Sequence, residues 1–114
     1  MYRESVIPGT RYLVHGTELY IFIFKVAPFT KKVYRAVLSI PLGEVRTYKW
    51  VAQKAGNPKA ARAVGQILKK NPFPLIIPCH RVVASHGKLG GYAWGRQKKQ
   101  ELLNLERQIK ELML

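Results

Sequence analysis

The segment from Thr47 to Lys70 constrains the fold more than any other part of this 114-residue chain. It contains two short helical patterns, YKWVAQKAG and KAARAVGQILKK, joined by the turn-forming pair Asn57-Pro58. Thr47 is a favourable N-cap for the first helix, and Gly56 is typical of a helix C-terminus. Two helices with so short a connection predict a helix-turn-helix, whose second helix usually enters a DNA groove. A packed helical hairpin without that role is the alternative.

The charge balance favours the DNA-binding interpretation. The chain has 20 lysines and arginines against six acidic residues, a formal net charge of +14 at pH 7. Such a charge indicates a polyanionic partner, most often nucleic acid and sometimes an anionic membrane. Hydrophobic residues make up 47% of the chain, which argues against disorder. Small residues around Arg62, in AARAVG, would let that helix approach a groove closely while one long cation projects.

The cysteine count bears on both compartment and metal binding. One cysteine cannot form an internal disulfide, so the fold does not depend on an oxidising compartment. No charged-then-apolar leader opens the chain, and the apolar run Leu19–Phe24 is too short to span a bilayer. We therefore expect a cytoplasmic protein that does not enter membranes. One cysteine and three scattered histidines offer no zinc-ligand spacing, so no metal and no cofactor are expected.

The chain divides into a short β-rich segment, residues 1–28, and a domain over residues 29–114. The first segment carries RYLVHG and ELYIFIFKV, which predict a short β-hairpin. The remainder predicts an α+β, mainly helical fold, with a helix over Phe29–Ile40, the helix pair, a glycine-rich loop and a final amphipathic helix from Arg96. The apolar positions of this last helix are Leu102, Leu103, Leu105, Ile109, Leu112 and Met113. Its lysines, Lys98, Lys99 and Lys110, are expected to form a solvated face.

The single cysteine, Cys79, lies in PLIIPCHRVV, directly before His80 and Arg81. The thiolate is the form that attacks, and neighbouring cations can lower the thiol pKa. A histidine can take the thiol proton if a carboxylate holds its ring, and the last helix offers Glu101 and Glu106. A lone cysteine among valines can equally be an inert core residue. Local sequence leaves both hypotheses open.

Two further features have a functional and a purely structural interpretation. The glycines of GGYAWG, Gly90–Gly95, permit close approach of a planar ligand, on which Tyr92 or Trp94 could stack. The alternative is a mobile surface loop with two half-buried aromatics. Tyr48, early in the first helix of the pair, could contact a phosphate or merely pack.

Taken together, these motifs resemble a known family. GEVRTY, AGNPKAARAVG, NPFPLIIPCHRVV and GGYAWG with a following Glu106 are similar to the C-terminal active-site domain of O6-alkylguanine-DNA alkyltransferases, also called methylated-DNA–protein-cysteine methyltransferases. The resemblance covers about Phe29 to Glu106. It implies a winged-helix-like domain that repairs DNA by moving a methyl or larger alkyl group, once and irreversibly, from O6 of a flipped guanine to Cys79. O4 of thymine would be a secondary substrate.

The resemblance also implies roles for individual residues. His80 would pass the Cys79 proton, through a bound water, to Glu106, and Asn71 would tie the helix pair to the active-site turn. Arg62 would fill the gap left by the flipped nucleotide. The other implied DNA-binding residues are Tyr48, which would crowd the 3′ phosphate, Ala61, Gly65 and Arg81. The implied base pocket consists of Tyr92, the Ala93 backbone, the Val82 carbonyl and Gly90.

The implied partner is double-stranded DNA containing O6-alkylguanine, bound through the minor groove by a monomer. Two features depart from the family pattern. Only about 28 residues precede the match, where the family has a longer N-terminal domain, so the contribution of that domain to stability would come from the two short strands, from a partner, or not at all. Ala93 stands where a serine or another small residue is common. The alternatives are an alkyltransferase-like protein that binds lesions without transfer, a plain helix-turn-helix DNA-binding protein and a cysteine hydrolase.

Overall fold

The computed structural model describes residues 26–114. Within them, four α-helices surround a pair of two-residue strands. The helices are α1 (Pro28–Leu38), α2 (Tyr48–Lys54), α3 (Ala61–Lys69) and α4 (Arg96–Met113). The strands are β1 (Arg46–Thr47) and β2 (Val82–Val83), and a 3₁₀ turn, Cys79–Arg81, leads directly into β2. None of these helices is both long and apolar enough to cross a bilayer. The predicted α+β, mainly helical class is confirmed, whereas the predicted β-hairpin lies outside the described residues.

The predicted helix pair, α2 and α3, is held by its caps and its turn. The Thr47 hydroxyl oxygen accepts a hydrogen bond from the Trp50 amide at 3.0 Å, which confirms Thr47 as N-cap. Gly56 follows α2 with a φ of +93°, a conformation that favours glycine. The Asn57 amide donates to the Ala52 carbonyl at 2.9 Å, which turns the chain back toward α3. The short connection therefore fixes the second helix against the first.

The hydrophobic core forms where α1, α2 and α3 meet and extends to the turn that carries the cysteine. Val33 and Val37, one helical turn apart on α1, are fully buried, as are Val51 on α2 and Val64 on α3. Burial of each such side chain stabilises the fold by about 1.5–3 kcal/mol. Cys79 belongs to the same cluster, so the core that stabilises the helix pair also positions the thiol.

The two strands connect the helix pair to the cysteine turn. They pair in parallel, with Arg46 opposite Val82 and Thr47 opposite Val83. Because the pairing is parallel, the start of α2 lies beside the residues that follow β2, and the 3₁₀ turn that precedes β2 lies beside the residues that precede β1.

Candidate active site

Cys79 is 6% exposed and lines a cavity of about 870 Å³. Burial raises the pKa of its thiol, and this effect is opposed by a hydrogen bond from the Asn71 side chain and by the positive charge of Lys99. Cys79 is therefore buried as a core residue would be, and it also lies at a cavity where a nucleophile could meet a ligand, so its role as nucleophile stays a prediction. The thiol is packed among core residues and also faces a space in which a ligand fits.

The cavity brings together many of the residues predicted to act at the site. Those that line it are Tyr48 on α2, Ala61, Arg62 and Gly65 on α3, and Tyr92 and Ala93 in the glycine-rich loop. Sequence reasoning missed Lys49, Gln66 and Lys69, which line the same cavity. Gln66 and Lys69 could have been found from helical spacing, because positions 62, 66 and 69 share one face of α3.

His80 and Glu106 form a buried pair behind the cysteine turn. The Nε2 atom of His80 lies 2.7 Å from Oε2 of Glu106, and His80 is 1% exposed. Burial lowers the His80 pKa although the Glu106 carboxylate opposes this, so a neutral ring is favoured. With its Nε2–H donated to the carboxylate, the ring presents Nδ1 as an acceptor, and Nδ1 is buried without a hydrogen-bond partner among the described residues. Glu101, the other candidate, is exposed and pairs with Lys98.

Arg81 completes this cluster from the other side of the carboxylate. Its Nε donates to Oε1 of Glu106 at 2.9 Å, its second terminal nitrogen donates to Oε2 at 3.0 Å, and its first donates to the Ile40 carbonyl at 2.9 Å. Burial alone would raise the Glu106 pKa, but the hydrogen bonds and charges of Arg81 and His80 together hold it below its ordinary value. The guanidinium of Arg81 is engaged by these bonds inside the protein, and the DNA contact that the resemblance implies for it stays a prediction.

Asn71 ties the end of α3 to the cysteine turn, as the resemblance implies. Its Nδ2 donates to the Ile77 carbonyl at 3.0 Å, and its Oδ1 accepts from the Phe73 amide at 2.8 Å. All three residues are buried. One side chain thereby satisfies two backbone groups of the loop that delivers Cys79.

We expect Asn71→Ala to lower the free energy of unfolding by about 1–3 kcal/mol, because it removes two buried hydrogen bonds, one to the Ile77 carbonyl and one from the Phe73 amide. Urea denaturation of both proteins measures this difference. Asn104→Ala is the matched control, since Asn104 is exposed and bonds side chains on its own helix. A loss no larger than that of the control would show that the loop does not depend on Asn71.

The glycine-rich loop places Tyr92 between the cavity and the His80–Glu106 pair. The Tyr92 and His80 rings meet edge to face with centroids 6.2 Å apart. Burial raises the Tyr92 pKa, so the hydroxyl keeps its proton, and its oxygen is buried without a partner among residues 26–114. Gly90 has a φ of +79°, and a Cβ there would lie 2.9 Å from the Tyr48 hydroxyl. Gly90 thus allows Tyr48 to pack against the loop. Val82, the other residue implied for the base pocket, has its side chain fully buried in the core.

The last helix presents a different face to the protein than its sequence pattern predicts. Lys99, expected in a solvated face, is fully buried, and Glu106, two turns further along, is 9% exposed. The large apolar residues of α4 that are exposed are Leu105, Ile109, Leu112 and Met113. The inward face of α4 is therefore polar where it meets the site.

Fold and site together define a helix-turn-helix domain in which a buried cysteine lines a cavity and the next residue, a histidine, pairs with a glutamate. The chain belongs to the 6-O-methylguanine DNA methyltransferase family, whose DNA-binding-domain model matches residues 28–108. The methylated-DNA–protein-cysteine methyltransferase of Methanosarcina acetivorans is 50% identical over 93 residues, which cover 78% of this chain and 60% of that protein.

Solved structures of similar proteins support the same family assignment. A complex of Mycobacterium tuberculosis OGT with DNA is similar with a TM-score of 0.71 and 45% identity, over 74% of this chain and 52% of that one. S. pombe Atl1, in complex with damaged DNA containing O6-carboxymethylguanine, is similar with a TM-score of 0.64 and 36% identity, over 72% of this chain and 78% of that one. The chain spans only about 60% of the length of its Methanosarcina acetivorans relative.

Proposed function

We propose that this protein repairs alkylated DNA by direct reversal, with Cys79 as the acceptor. The Cys79 sulfur attacks the alkyl carbon on O6 of guanine, a sulfur–carbon bond forms, and the carbon–O6 bond breaks with its electron pair left on the base. The proposal is supported above all by a buried thiol that lines a cavity beside the His80–Glu106 pair, in a chain of this family. A thioether has no ready hydrolysis route, so each chain would act once.

The histidine–glutamate pair would handle the thiol proton. A neutral His80, whose Nδ1 has no partner in the described part of the chain, would accept this proton directly or through a water, and the ionised Glu106 would stabilise the imidazolium that results. Arg81 keeps that carboxylate ionised and oriented. Burial disfavours the thiolate of Cys79, and removal of its proton by this pair would offset that effect.

The loop would bind the base. O6 of guanine is not reachable by a buried sulfur while the base is stacked, so the nucleotide has to leave the duplex. The Tyr92 hydroxyl, which has no hydrogen-bond partner within residues 26–114, would donate to the guanine ring, and the Ala93 backbone would donate toward O6. Such donors stabilise the negative charge that develops on the leaving base. The carbonyls of Cys79 and Val82 would accept from its exocyclic amine.

The helix pair would hold double-stranded DNA through the minor groove. Arg62 is exposed at the cavity, and small residues, Ala61 and Gly65, lie beside it on α3. A helix with so little bulk can approach a narrow groove, and the arginine can occupy the space of the flipped base. Tyr48 would crowd the neighbouring phosphate.

We also propose that residues 29–114 form the active-site domain and that the protein acts inside the cell as a monomer.

We expect Arg62→Ala to slow transfer from duplex DNA by about tenfold or more, because the flipped state loses a side chain that compensates for lost stacking. Transfer from free O6-benzylguanine should stay within about twofold, since no stack is opened. Single-turnover rates on both substrates measure the two effects. Arg35→Ala, which removes an exposed arginine from α1, controls for the loss of charge alone. Equal losses on both substrates would remove the inserted-arginine role.

The direct test of the function is the intact mass of the protein after incubation with duplex DNA containing O6-methylguanine. A gain of one methylene per chain, mapped to Cys79 and saturating at one, is expected. Binding without a mass gain would favour the second candidate, a protein that recognises lesions without transfer. The likeness to S. pombe Atl1 over 78% of that chain supports this candidate. Repeated turnover on small acyl substrates would instead indicate a cysteine hydrolase.

A further inference from the structure

Gln66 is a cavity residue on α3 for which the proposed transfer has no role so far. Its side chain is exposed and lines the cavity one helical turn after Arg62. Its amide makes no hydrogen bond within the described part of the chain. By contrast, the exposed amides of Gln97 and Gln100 on α4 each bond to a side chain four residues further on. The Gln66 amide is therefore available to a ligand in the cavity.

Gln66 differs from the other polar side chains of α3 in the hydrogen bonds that it can form. Helix α3 carries three polar side chains, Arg62, Gln66 and Lys69, and all three line the cavity. Arginine and lysine have donors only, whereas an amide both donates and accepts. Donors suffice for phosphate oxygens, and phosphate contacts carry no direct sequence information. Gln66 is thus the one side chain of α3 that can accept a hydrogen bond from a base.

The glycine before Gln66 leaves open space on the same helix. Within the described residues, a Cβ added to Gly65 would approach only the Tyr48 ring, at 4.0 Å, which is ordinary contact. Packing in this part of the chain therefore does not require glycine, although glycine in a helix is less stable than alanine. The space is accounted for if a bound duplex lies against α3, as in the proposed function. A duplex that approaches so closely comes within reach of the Gln66 amide.

Spacing along α3 relates Gln66 to the base pairs next to the flipped nucleotide. Four residues rise about 6 Å along a helix, and successive base pairs of duplex DNA are about 3.4 Å apart. With Arg62 in the space of the flipped base, Gln66 would face a pair one or two steps away. In the minor groove, every pair presents acceptors, but only a G·C pair adds a donor, the N2 amino group of guanine. A glutamine amide can accept from this group while it donates to guanine N3.

We propose that Gln66 is a specificity-determining residue: its amide contacts the minor-groove edge of a base pair beside the lesion and favours a G·C pair there. The inference rests on the proposed function for the way in which the duplex lies on α3. It implies that the same lesion is repaired faster in one sequence context than in another. Arg62 and Lys69 cannot supply this preference, because neither accepts a hydrogen bond.

Replacement of guanine by hypoxanthine tests the contact, because hypoxanthine lacks the N2 amino group and leaves the major-groove edge unchanged. The duplexes contain O6-methylguanine with G·C pairs at the two positions on either side, and hypoxanthine replaces one flanking guanine at a time. The measurement is the single-turnover transfer rate at subsaturating DNA. At one position, the ratio of the guanine rate to the hypoxanthine rate should be about fivefold or more larger for the unmodified protein than for Gln66→Ala, the lower end of discrimination by a bidentate base contact. A weaker flanking pair affects both proteins equally, so this comparison cancels its effect.

Three controls make the comparison specific for the amide. In an A·T context, 2,6-diaminopurine in place of adenine adds the amino group and should raise the rate of the unmodified protein relative to that of Gln66→Ala. Gln66→Met keeps the length of the side chain without its hydrogen-bonding atoms and should behave as Gln66→Ala does. Gln53→Ala removes an exposed glutamine of α2 that lies outside the cavity lining, and it should keep the full preference. Equal ratios for the unmodified protein and Gln66→Ala at every position overturn the proposal, and so does a preference that Gln66→Met retains.

Binding of the same duplexes by Cys79→Ala separates this inference from the proposed transfer. This variant has no thiol to alkylate, so its Kd values report on recognition alone. We expect the preference for guanine over hypoxanthine in these Kd values and its loss in Cys79→Ala with Gln66→Ala. If the preference is found but the unmodified protein gains no methyl group, the Gln66 contact stands and the transfer fails. If Cys79 is methylated at the same rate in every context, the transfer stands and the Gln66 contact is overturned.

Discussion

Cys79→Ala is expected to take up no alkyl group from duplex DNA containing O6-methylguanine while it still binds that DNA. The loss is complete because no other residue of the chain carries a thiol. A methyl side chain fits the space that the sulfur leaves, so the core around the turn should remain packed. DNA affinity should change little, since the exposed cations of α2 and α3 remain. Intact mass and a binding titration at fixed salt measure both quantities.

Ser85→Ala provides the matched control for this experiment. Ser85 lines the same cavity, and its substitution also removes one polar side-chain atom. We expect this variant to gain one methylene per chain, as the unmodified protein does. Residual stoichiometric transfer in Cys79→Ala would show that another group accepts the alkyl and would overturn the assignment of Cys79. Loss of DNA binding in the same variant would show that the cysteine supports the fold of the DNA-contacting surface.

The helix pair could be predicted from sequence because its signals are local. Thr47 as N-cap and Gly56 as terminator act within one or two turns of the chain. The position of Cys79, in both the core and the cavity wall, could not be predicted from local signals. It depends on the contacts of the turn with three helices, which no stretch of sequence near the cysteine contains.

The polar face of α4 was not predictable for a physical reason. Hydrophobic periodicity assumes that the apolar stripe of a helix faces the protein. Near the site, Lys99 and Glu106 face inward instead, because each has specific partners there: two loop carbonyls for the lysine, and His80 with Arg81 for the glutamate. Lys98 and Lys99 are identical as sequence, and only the tertiary structure distinguishes the exposed lysine from the buried one.

The choice between Glu101 and Glu106 as the partner of the histidine was open for the same reason. Both glutamates lie on α4, and sequence spacing alone allowed either of them to reach the cysteine turn. The structure places Glu106 against His80 at 2.7 Å and leaves Glu101 with Lys98 at the surface. This difference makes the two residues a natural pair for testing the proton relay.

Glu106→Gln is expected to slow alkyl transfer at pH 7 by about 10²–10⁴-fold, the range in which general acid–base catalysis contributes. An amide cannot stabilise the imidazolium of His80 as a carboxylate does, so the thiol proton has no favourable acceptor. Single-turnover transfer at saturating DNA measures the rate of the chemical step. Glu101→Gln removes an equivalent charge from the exposed face of the same helix and should transfer at the unmodified rate.

The pH profile separates a proton relay from a merely structural glutamate. If Glu106 acts through the thiol proton, the rate of Glu106→Gln should rise with pH toward that of the unmodified protein, because hydroxide then ionises Cys79 without the relay. If Glu106 only orders the site with Arg81, the deficit should be the same at every pH at which the protein is folded. Circular dichroism at each pH shows whether the variant is folded. This control is needed because Glu106→Gln leaves the Arg81 charge without its partner. A pH-independent deficit would reassign Glu106 from proton transfer to positioning.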